Sequence, residues 1–315
     1  MITAAAVVGP TASGKTAFAI ALAKRLNGEI VSCDSMQIYK GLDIGTAKPA
    51  PQELSEVRHH LIGFLEPEVP FSVSDYVAAA APVLADIDKR GKLPIVTGGT
   101  GLYARSLLEG ISFQEDCRDD GIRRRLNEQA EKEGAQAFYE HLQRLDPAAA
   151  AKIHPNNVKR VVRALEYHEV TGRLFSEQEE QSKPAKPPYR YRMLCLAYRD
   201  REILYRRIDR RVEDMLANGL IAEAESLYAQ AGTGGALPTA LQAIGYKELF
   251  PYLEGKASLD ETAENIKRET RHYAKRQITW FKREKSIDFL YLDEIGFEKA
   301  LETGISILQK AGIGK

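Results

Sequence analysis

Ala4-Ala5-Ala6-Val7-Val8 runs directly into Gly9-Pro10-Thr11-Ala12-Ser13-Gly14-Lys15-Thr16, and that octet runs on into Ala17–Leu26. The octet satisfies G-x-x-x-x-G-K-[ST] at every position, with a buried-strand run before it and a helix-forming run after it. The spacing has a physical reason. Glycines let the backbone wrap a phosphate closely, and successive N–H groups turn inward as an anion nest. A helix beginning near Gly14 aims its positive end at the same anion. Lys15 supplies a mobile point charge, and the Thr16 hydroxyl is a ligand for Mg²⁺. The octet therefore predicts a polyphosphate site, and leaves open what the phosphates are attached to.

Working outward, short apolar runs alternate with longer helical ones. Glu29–Cys33, His60–Leu65 and Leu93–Thr97 read as further strands, and the alanine-rich Val73–Arg90 as a helix. Such alternation predicts an α/β fold: a P-loop NTPase-like parallel sheet flanked by helices on both faces. From about Phe113 the pattern becomes helical, over Ile122–Glu133, Ala135–Arg144, Pro147–Lys152 and Val158–Thr171. Pro147 after Asp146 reads as a helix start and Gly172 as a stop. Three prolines (Pro184, Pro187, Pro188) mark the return to the sheet. Met193–Tyr198 then reads as a strand, followed by a helical region to Ala231, further helices, a last strand at Ile287–Leu292 and a closing helix. Residues 1–112 and 183–315 are thus expected to form the α/β core, and 113–182 an all-helical insertion.

Composition narrows the class. Hydrophobic residues make up 44% and charged residues 28% of 315, with zero net charge, so a nucleic-acid surface requires local segregation of charge. The three cysteines (Cys33, Cys117, Cys195) are far apart and form no Cys-x-x-Cys pair, which speaks against a disulfide framework or zinc site and for a reducing, cytoplasmic setting. The amino-terminal run reads as a strand, not a leader. No apolar run is long enough to span a bilayer. The six histidines, His59-His60 among them, lack metal-ligand spacing.

The second strand ends on Asp34, beside the phosphate loop, where open parallel sheets bind ligands. A carboxylate there can hold a metal shell, act as a general base, or cap the next helix. Ser35, Gln37 and Tyr39 crowd polar groups into the same loop, and Gly41, Gly45 and Pro49 prolong it as an irregular segment.

With the octet, the segment Asp34-Ser35-Met36-Gln37-Ile38-Tyr39-Lys40-Gly41-Leu42-Asp43-Ile44-Gly45-Thr46-Ala47-Lys48-Pro49 resembles the tRNA dimethylallyltransferase (tRNA isopentenyltransferase) family. Gly98-Gly99-Thr100-Gly101-Leu102-Tyr103, Gln242-Ala243-Ile244-Gly245-Tyr246-Lys247 and Thr270–Phe281 match in the same order. The resemblance implies transfer of the five-carbon unit of dimethylallyl diphosphate to the exocyclic amine of an adenine on the 3′ side of the anticodon, without consumption of ATP. It implies that the helical insertion grips the anticodon stem-loop. It makes Thr11 a hydroxyl donor to the diphosphate and Arg211 a phosphate clamp, although Arg207 and Arg210 are equally eligible on composition alone. Asp34 becomes the best-placed base, because an attacking amine must shed a proton. The adenine must be extruded to be reached, with Ser35, Met36, Gln37 and Thr100 as its neighbours.

Four cationic runs are expected to meet tRNA phosphates. Glu264–Lys285 holds eight Lys/Arg against three acids, Arg271, Lys275 and Arg276 among them, and Arg190–Asp214 holds eight arginines against five acids. Lys159-Arg160-Val161-Val162-Arg163 forms a compact basic knot in the insertion, and Arg123–Arg125 another. Tyr273 and Trp280 are expected in the core. Gln242, Gly245, Tyr246 and Lys247 complete the expected tRNA contacts. Two positions depart from the family: Lys159 stands where an uncharged residue or arginine is frequent, and Lys247 where arginine is, so the guanidinium fork is lost there. The expected partners are tRNA and dimethylallyl diphosphate with Mg²⁺, in a monomer free of membrane. Three alternatives keep the phosphate loop: a small-molecule kinase, an isopentenyltransferase of free adenine nucleotides, which has no use for the insertion, and a nucleotide-switched RNA-binding module, which does not need Asp34.

Overall fold

In the computed structural model the described residues are 1–112, 119–182, 184, 186–232, 240, 243–284 and 286–314. The chain divides into two compact units, Met1–Leu108 with Pro188–Lys315, and Glu109–Pro187.

The first unit is a six-stranded, fully parallel sheet in the order β3-β2-β4-β1-β5-β6. Its strands are β1 (Ile2–Val8), β2 (Gly28–Ser32), β3 (His59–His60), β4 (Leu93–Gly98), β5 (Tyr189–Ala197) and β6 (Ile287–Tyr291). Strand β1 lies between β4 and β5, and its small side chains alternate between two cores. Ala4, Ala6 and Val8 face Tyr76, Leu84 and Leu107 on one side; Ala5 and Val7 face Phe18, Leu22 and Leu301 on the other. This period-two division of an uninterrupted apolar run is what burial of both faces requires. The first side is covered by α3 (Val73–Lys89) and α4 (Gly101–Glu109), the second by α1 (Lys15–Arg25) and α14 (Leu292–Lys310). Phe18 is fully buried, a contribution of about 2 kcal/mol.

Two expectations are corrected. The third strand is His59–His60, not His60–Leu65: Leu61 (φ 60°) and Gly63 (φ 57°) turn the backbone out of the extended region, and only Leu65 re-forms a bridge, with Tyr39. The long helical region after β5 is two helices, α10 (Arg201–Ala217) and α11 (Leu220–Gly232), because Gly219 sits at φ 103° between them. Helices α2 (Pro51–Glu56), α12 (Phe250–Leu253) and α13 (Leu259–Phe281) complete the unit.

The second unit packs α5 (Asp120–Glu133), α6 (Ala135–Leu145), α7 (Pro147–Ala150), α8 (Val158–Thr171) and α9 (Phe175–Gln181) around Leu126, Phe138, Leu142, Val161 and Leu165. Its edges lie a few residues outside 113–182. Asp146 is buried and caps twice, Oδ1 accepting from Ala149 N at 3.0 Å and Oδ2 from Ser176 N at 2.8 Å. Gly172, at φ 71°, ends α8 as a left-handed cap.

Candidate active site in the α/β unit

The carboxyl ends of β1, β2 and β4 converge on one cavity of about 610 Å³. The octet leaves β1 with Gly9 at φ 146°, where a Cβ would stand 2.5 Å from the Leu196 carbonyl oxygen of β5, so no larger residue fits the exit. Gly14, at φ 92°, is the N-cap of α1, which opens the helix toward the cavity. Thr11, Ala12, Gly14, Lys15 and Thr16 line it; Ser13 is fully buried behind the loop.

Neighbouring glycines serve a different end. A Cβ on Gly98 would meet the Cys33 backbone at 2.6 Å, one on Gly99 would meet Gln277 Nε2 at 2.2 Å, and one on Gly101 would meet the Trp280 ring at 2.2 Å. The Gly98-Gly99-Thr100-Gly101 turn is therefore shaped by what packs on it: the end of β2 and one face of α13. That face presents Ile266, Thr270, Tyr273 and Gln277 to the cavity, at helical spacing. Gln277 is buried and joins two loops. Its Oε1 accepts from Thr11 N at 2.8 Å, and its Nε2 donates to Gly99 O at 2.9 Å. Gln277 lies in the Thr270–Phe281 stretch that carries the resemblance, but nothing local assigns it this role, since its partners are 266 and 178 residues away.

The cavity is cationic on one wall. Lys15 donates to Pro10 O at 2.7 Å and has no carboxylate partner among the described residues. Burial, followed by the charge of Arg211, lowers its pKa to about 8, with Asp34 opposing. Arg211 is half-buried, has no hydrogen bond to described residues, and is itself lowered by burial and then by Arg207. Arg207 donates from Nε to Ala12 O at 2.8 Å, which pins α10 to the phosphate loop. Of the three arginines that the sequence leaves equal, Arg207 and Arg211 reach the cavity, one helical turn apart.

Asp34 faces this wall. Its Oδ1 accepts from Met36 N at 3.0 Å and Gln37 N at 3.4 Å, so the capping role is filled by one oxygen. Oδ2 has no hydrogen bond among the described residues. Ser35, Met36 and Gln37 line the cavity as well. Thr100 lies behind them: its Oγ1 accepts from Ser35 N at 3.1 Å and contacts Ser35 Oγ at 3.3 Å. Gln37 Nε2 donates to Thr46 O and Ala47 O, both at 3.0 Å.

The opposite wall hangs on a residue that the sequence does not single out. Glu223 on α11 accepts from the N–H groups of Asp43 (2.9 Å), Ile44 (2.9 Å) and Gly45 (2.9 Å) and from the Tyr246 hydroxyl (2.6 Å). The Tyr246 ring lies where a Cβ on Gly45 would be, 2.6 Å away. Tyr246 is thus a fully buried core residue and is corrected from the expected tRNA contacts; its neighbours Gly245 and Lys247 line the cavity. Tyr273, expected in the core, lines the cavity, whereas Trp280 packs on the sheet's core. Arg276 also reaches the cavity, Arg271 is tied to Asp209 at 2.7 Å, and Lys275 is exposed. Gln242 lies outside the described residues.

In the helical unit the expected cations divide. Arg123 is bonded through Nη2 to buried Glu166 at 2.6 Å, and Arg125 to Glu169. Val161 (0% exposed) and Val162 (3%) belong to that unit's core, so their side chains are corrected from the expected tRNA contacts; Lys159, Arg160 and Arg163 face outward. His60 pairs with Glu29 at 2.8 Å and His59 with Val57 O at 2.7 Å. Among the described residues no cluster of three His, Cys, Asp or Glu could hold a metal, and no helix is long and apolar enough to cross a membrane.

Residues 37–284 match the family model described as IPP transferase, and residues 2–63 a model described as isopentenyl transferase. A tRNA dimethylallyltransferase of Geobacillus thermodenitrificans is 48% identical over 90% of this chain and 88% of its own length. One from Carboxydothermus hydrogenoformans is 45% identical over 98% of this chain and 96% of its own. Among solved structures, the tRNA isopentenylpyrophosphate transferase of Bacillus halodurans aligns with a TM-score of 0.73 at 41% identity, covering 99% of this chain and 97% of that one. A eukaryotic dimethylallyltransferase acting on tRNA aligns with a TM-score of 0.82 at 29% identity, covering 98% and 79%. With the phosphate loop, Asp34 and the Gln277-bearing helix all inside the matched span, the chain belongs to the IPP transferase family.

Proposed function

We propose that this chain transfers the dimethylallyl group of dimethylallyl diphosphate to the exocyclic amine of the adenine on the 3′ side of the anticodon in tRNA, releasing pyrophosphate. The observation that carries the reading is one cavity in which Lys15 and Arg211, neither paired with a carboxylate among the described residues, face Asp34 with an oxygen to spare. The allylic C–O bond breaks as the amine nitrogen bonds to the same carbon. Negative charge grows on the leaving diphosphate, and cations fixed there beforehand lower the barrier. Arg211 offers a planar fork for phosphate oxygens, and the N–H groups of Gly14, Lys15 and Thr16 at the start of α1 add further donors. Asp34 takes the proton that the amine loses. Gln37, its Nε2 already spent on the loop, keeps Oε1 as the acceptor it can offer that amine.

The residues fit Mg²⁺. Thr16 lines the cavity with no hydrogen bond from its side chain to described residues, and its hydroxyl is the hard oxygen ligand that such a cation, held mainly by phosphate oxygens and water, accepts. Thr16 would hold the ion, with Asp34 and Glu53 the carboxylates that line the same cavity. Such an ion, when bound, offsets diphosphate charge.

Lys159, Arg160 and Arg163 on the outer face of α8 supply phosphate contacts to the tRNA, in the cytoplasm where that substrate resides. The test is the mass of unmodified tRNA after incubation with dimethylallyl diphosphate and Mg²⁺. A gain of one five-carbon unit on one adenine is expected. Tritiated donor left untransferred, or phosphate released from ATP on addition of tRNA, would overturn the reading.

A further inference from the structure

One helix carries both cationic and apolar lining of the cavity along a single line. Arg207, Arg211 and Met215 recur every four residues on α10, and all three line the cavity. Arg207 is fastened to the phosphate loop through Ala12 O, so the register between loop and helix is fixed. Arg211 and Lys15 line the same cavity, so a diphosphate held by both would lie between them. Met215 follows one turn later, about 6 Å along the axis. Around it the surface turns apolar and continuous: Val212, Ala243 and Ile266 are buried in one cluster, with Met36 and Met215 packed against it. An extended five-carbon unit is about as long as that one helical turn.

Met215 also belongs to a second cavity, about 1040 Å³, which continues along the same helix past Asp214 to Asn218. The two cavities share lining on both sides, but α10 gives them in common only Arg211, at the phosphate end, and Met215 one turn further on, whose half-buried, unbranched side chain is the helix's last contribution to the first cavity. Resting on the transferase reading above, we infer that α10 is a ruler for the donor and that Met215 is the specificity-determining residue that limits it to one isoprene unit. Arg207 and Arg211 fix where the diphosphate sits, and the Met215 thioether closes the space a second isoprene unit would need. Ten-carbon geranyl diphosphate shares the same diphosphate and allylic carbon, so the discrimination is steric alone.

The experiment uses the full chain and unmodified tRNA, with initial rates and product masses read for dimethylallyl and geranyl diphosphate in parallel. Wild type is expected to transfer the five-carbon unit and almost none of the ten-carbon one. Met215→Ala is expected to raise kcat/KM for geranyl diphosphate by about 10–100-fold, the range set by filling or emptying a small apolar pocket. The same variant loses several-fold with dimethylallyl diphosphate. Inhibition by inorganic pyrophosphate with Mg²⁺ stays within about twofold, because the phosphate end is untouched. Met215→Phe is expected to slow transfer of both donors with the same pyrophosphate inhibition. A wild type that uses both donors equally overturns the ruler. So does a Met215→Ala enzyme that keeps pyrophosphate inhibition and gains no geranyl transfer, or one that loses that inhibition. A wild type that transfers neither donor, while still binding pyrophosphate, removes the transferase reading and the ruler with it.

Discussion

Arginines in the cavity wall and arginines in the helical unit look alike in sequence and are held in opposite ways. Arg211 is half-buried beside Lys15, with no carboxylate in hydrogen-bond reach among the described residues, and the pKa values of both are lowered. Arg123 carries as much charge but spends it on Glu166, whose side chain is 2% exposed and which also accepts from Asp119 N at 3.1 Å. A cation with its partner at hand stabilises the fold. A cation desolvated without one is held at a cost that an arriving anion offsets. The difference teaches that clusters of basic residues acquire meaning only through their acids.

The sharpest way to break this division is at the acid that faces the cavity. Asp34→Asn keeps the Oδ1 bonds to Met36 N and Gln37 N and removes the proton acceptor. Single-turnover transfer is expected to fall by roughly 10²–10⁴ while donor affinity stays near wild type. A collapse of donor affinity that added Mg²⁺ restores would move Asp34 from base to metal holder. The next effect belongs to the helical unit. Arg123→Ala leaves Glu166 buried without its cation and is expected to destabilise that unit by about 2 kcal/mol, less than for a fully buried pair because the arginine is partly solvated. Thermal unfolding of the full chain checks this. Lys159→Ala with Arg163→Ala should leave the melting temperature unchanged and flatten the salt dependence of tRNA binding by about two units.

The smallest effect concerns protons. Lys15 in the free enzyme loses its charge as pH rises through about 8, two and a half units below an ordinary lysine. A diphosphate needs that charge, so binding above this pH takes up a proton. Donor affinity is expected to weaken by up to about tenfold per pH unit above about 8. Lys15→Met should bind weakly and without this dependence. Arg211→Gln removes a neighbouring positive charge and should move the break upward in pH. A wild-type break that stays absent up to pH 10 would show Lys15 to be an ordinary, solvated cation.

Much of the α/β unit was legible because its signals are local. An apolar run, a glycine octet and a helix-forming run follow one another within Ala4–Leu26, and each obeys its own short-range rule. Asp146-Pro147 and Gly172 announced their caps for the same reason. What stayed hidden depends on partners distant in the chain. Gln277 and Glu223 bind backbone groups, which leave no side-chain signature at the other end. Val161, Val162 and Tyr246 sit inside segments rich in functional residues, and nothing in those segments separates the side chains that face solvent from those that hold the segment in place. His60–Leu65 had strand composition, but Leu61 and Gly63 take positive φ, which composition does not reveal.

One backbone contact in the helical unit bears on how such a chain could have been assembled. Ser112 N donates to Ser182 O at 2.8 Å, so the polypeptide enters and leaves the unit at neighbouring points. A segment with adjacent ends can be added to or removed from a host loop without pulling that loop open. The host strands on either side, β4 and β5, each pair with β1 and, among the described residues, owe no ladder hydrogen bond to those between them. The helical unit therefore has the form of a cassette, one that a short turn could replace while the phosphate loop stays on its sheet.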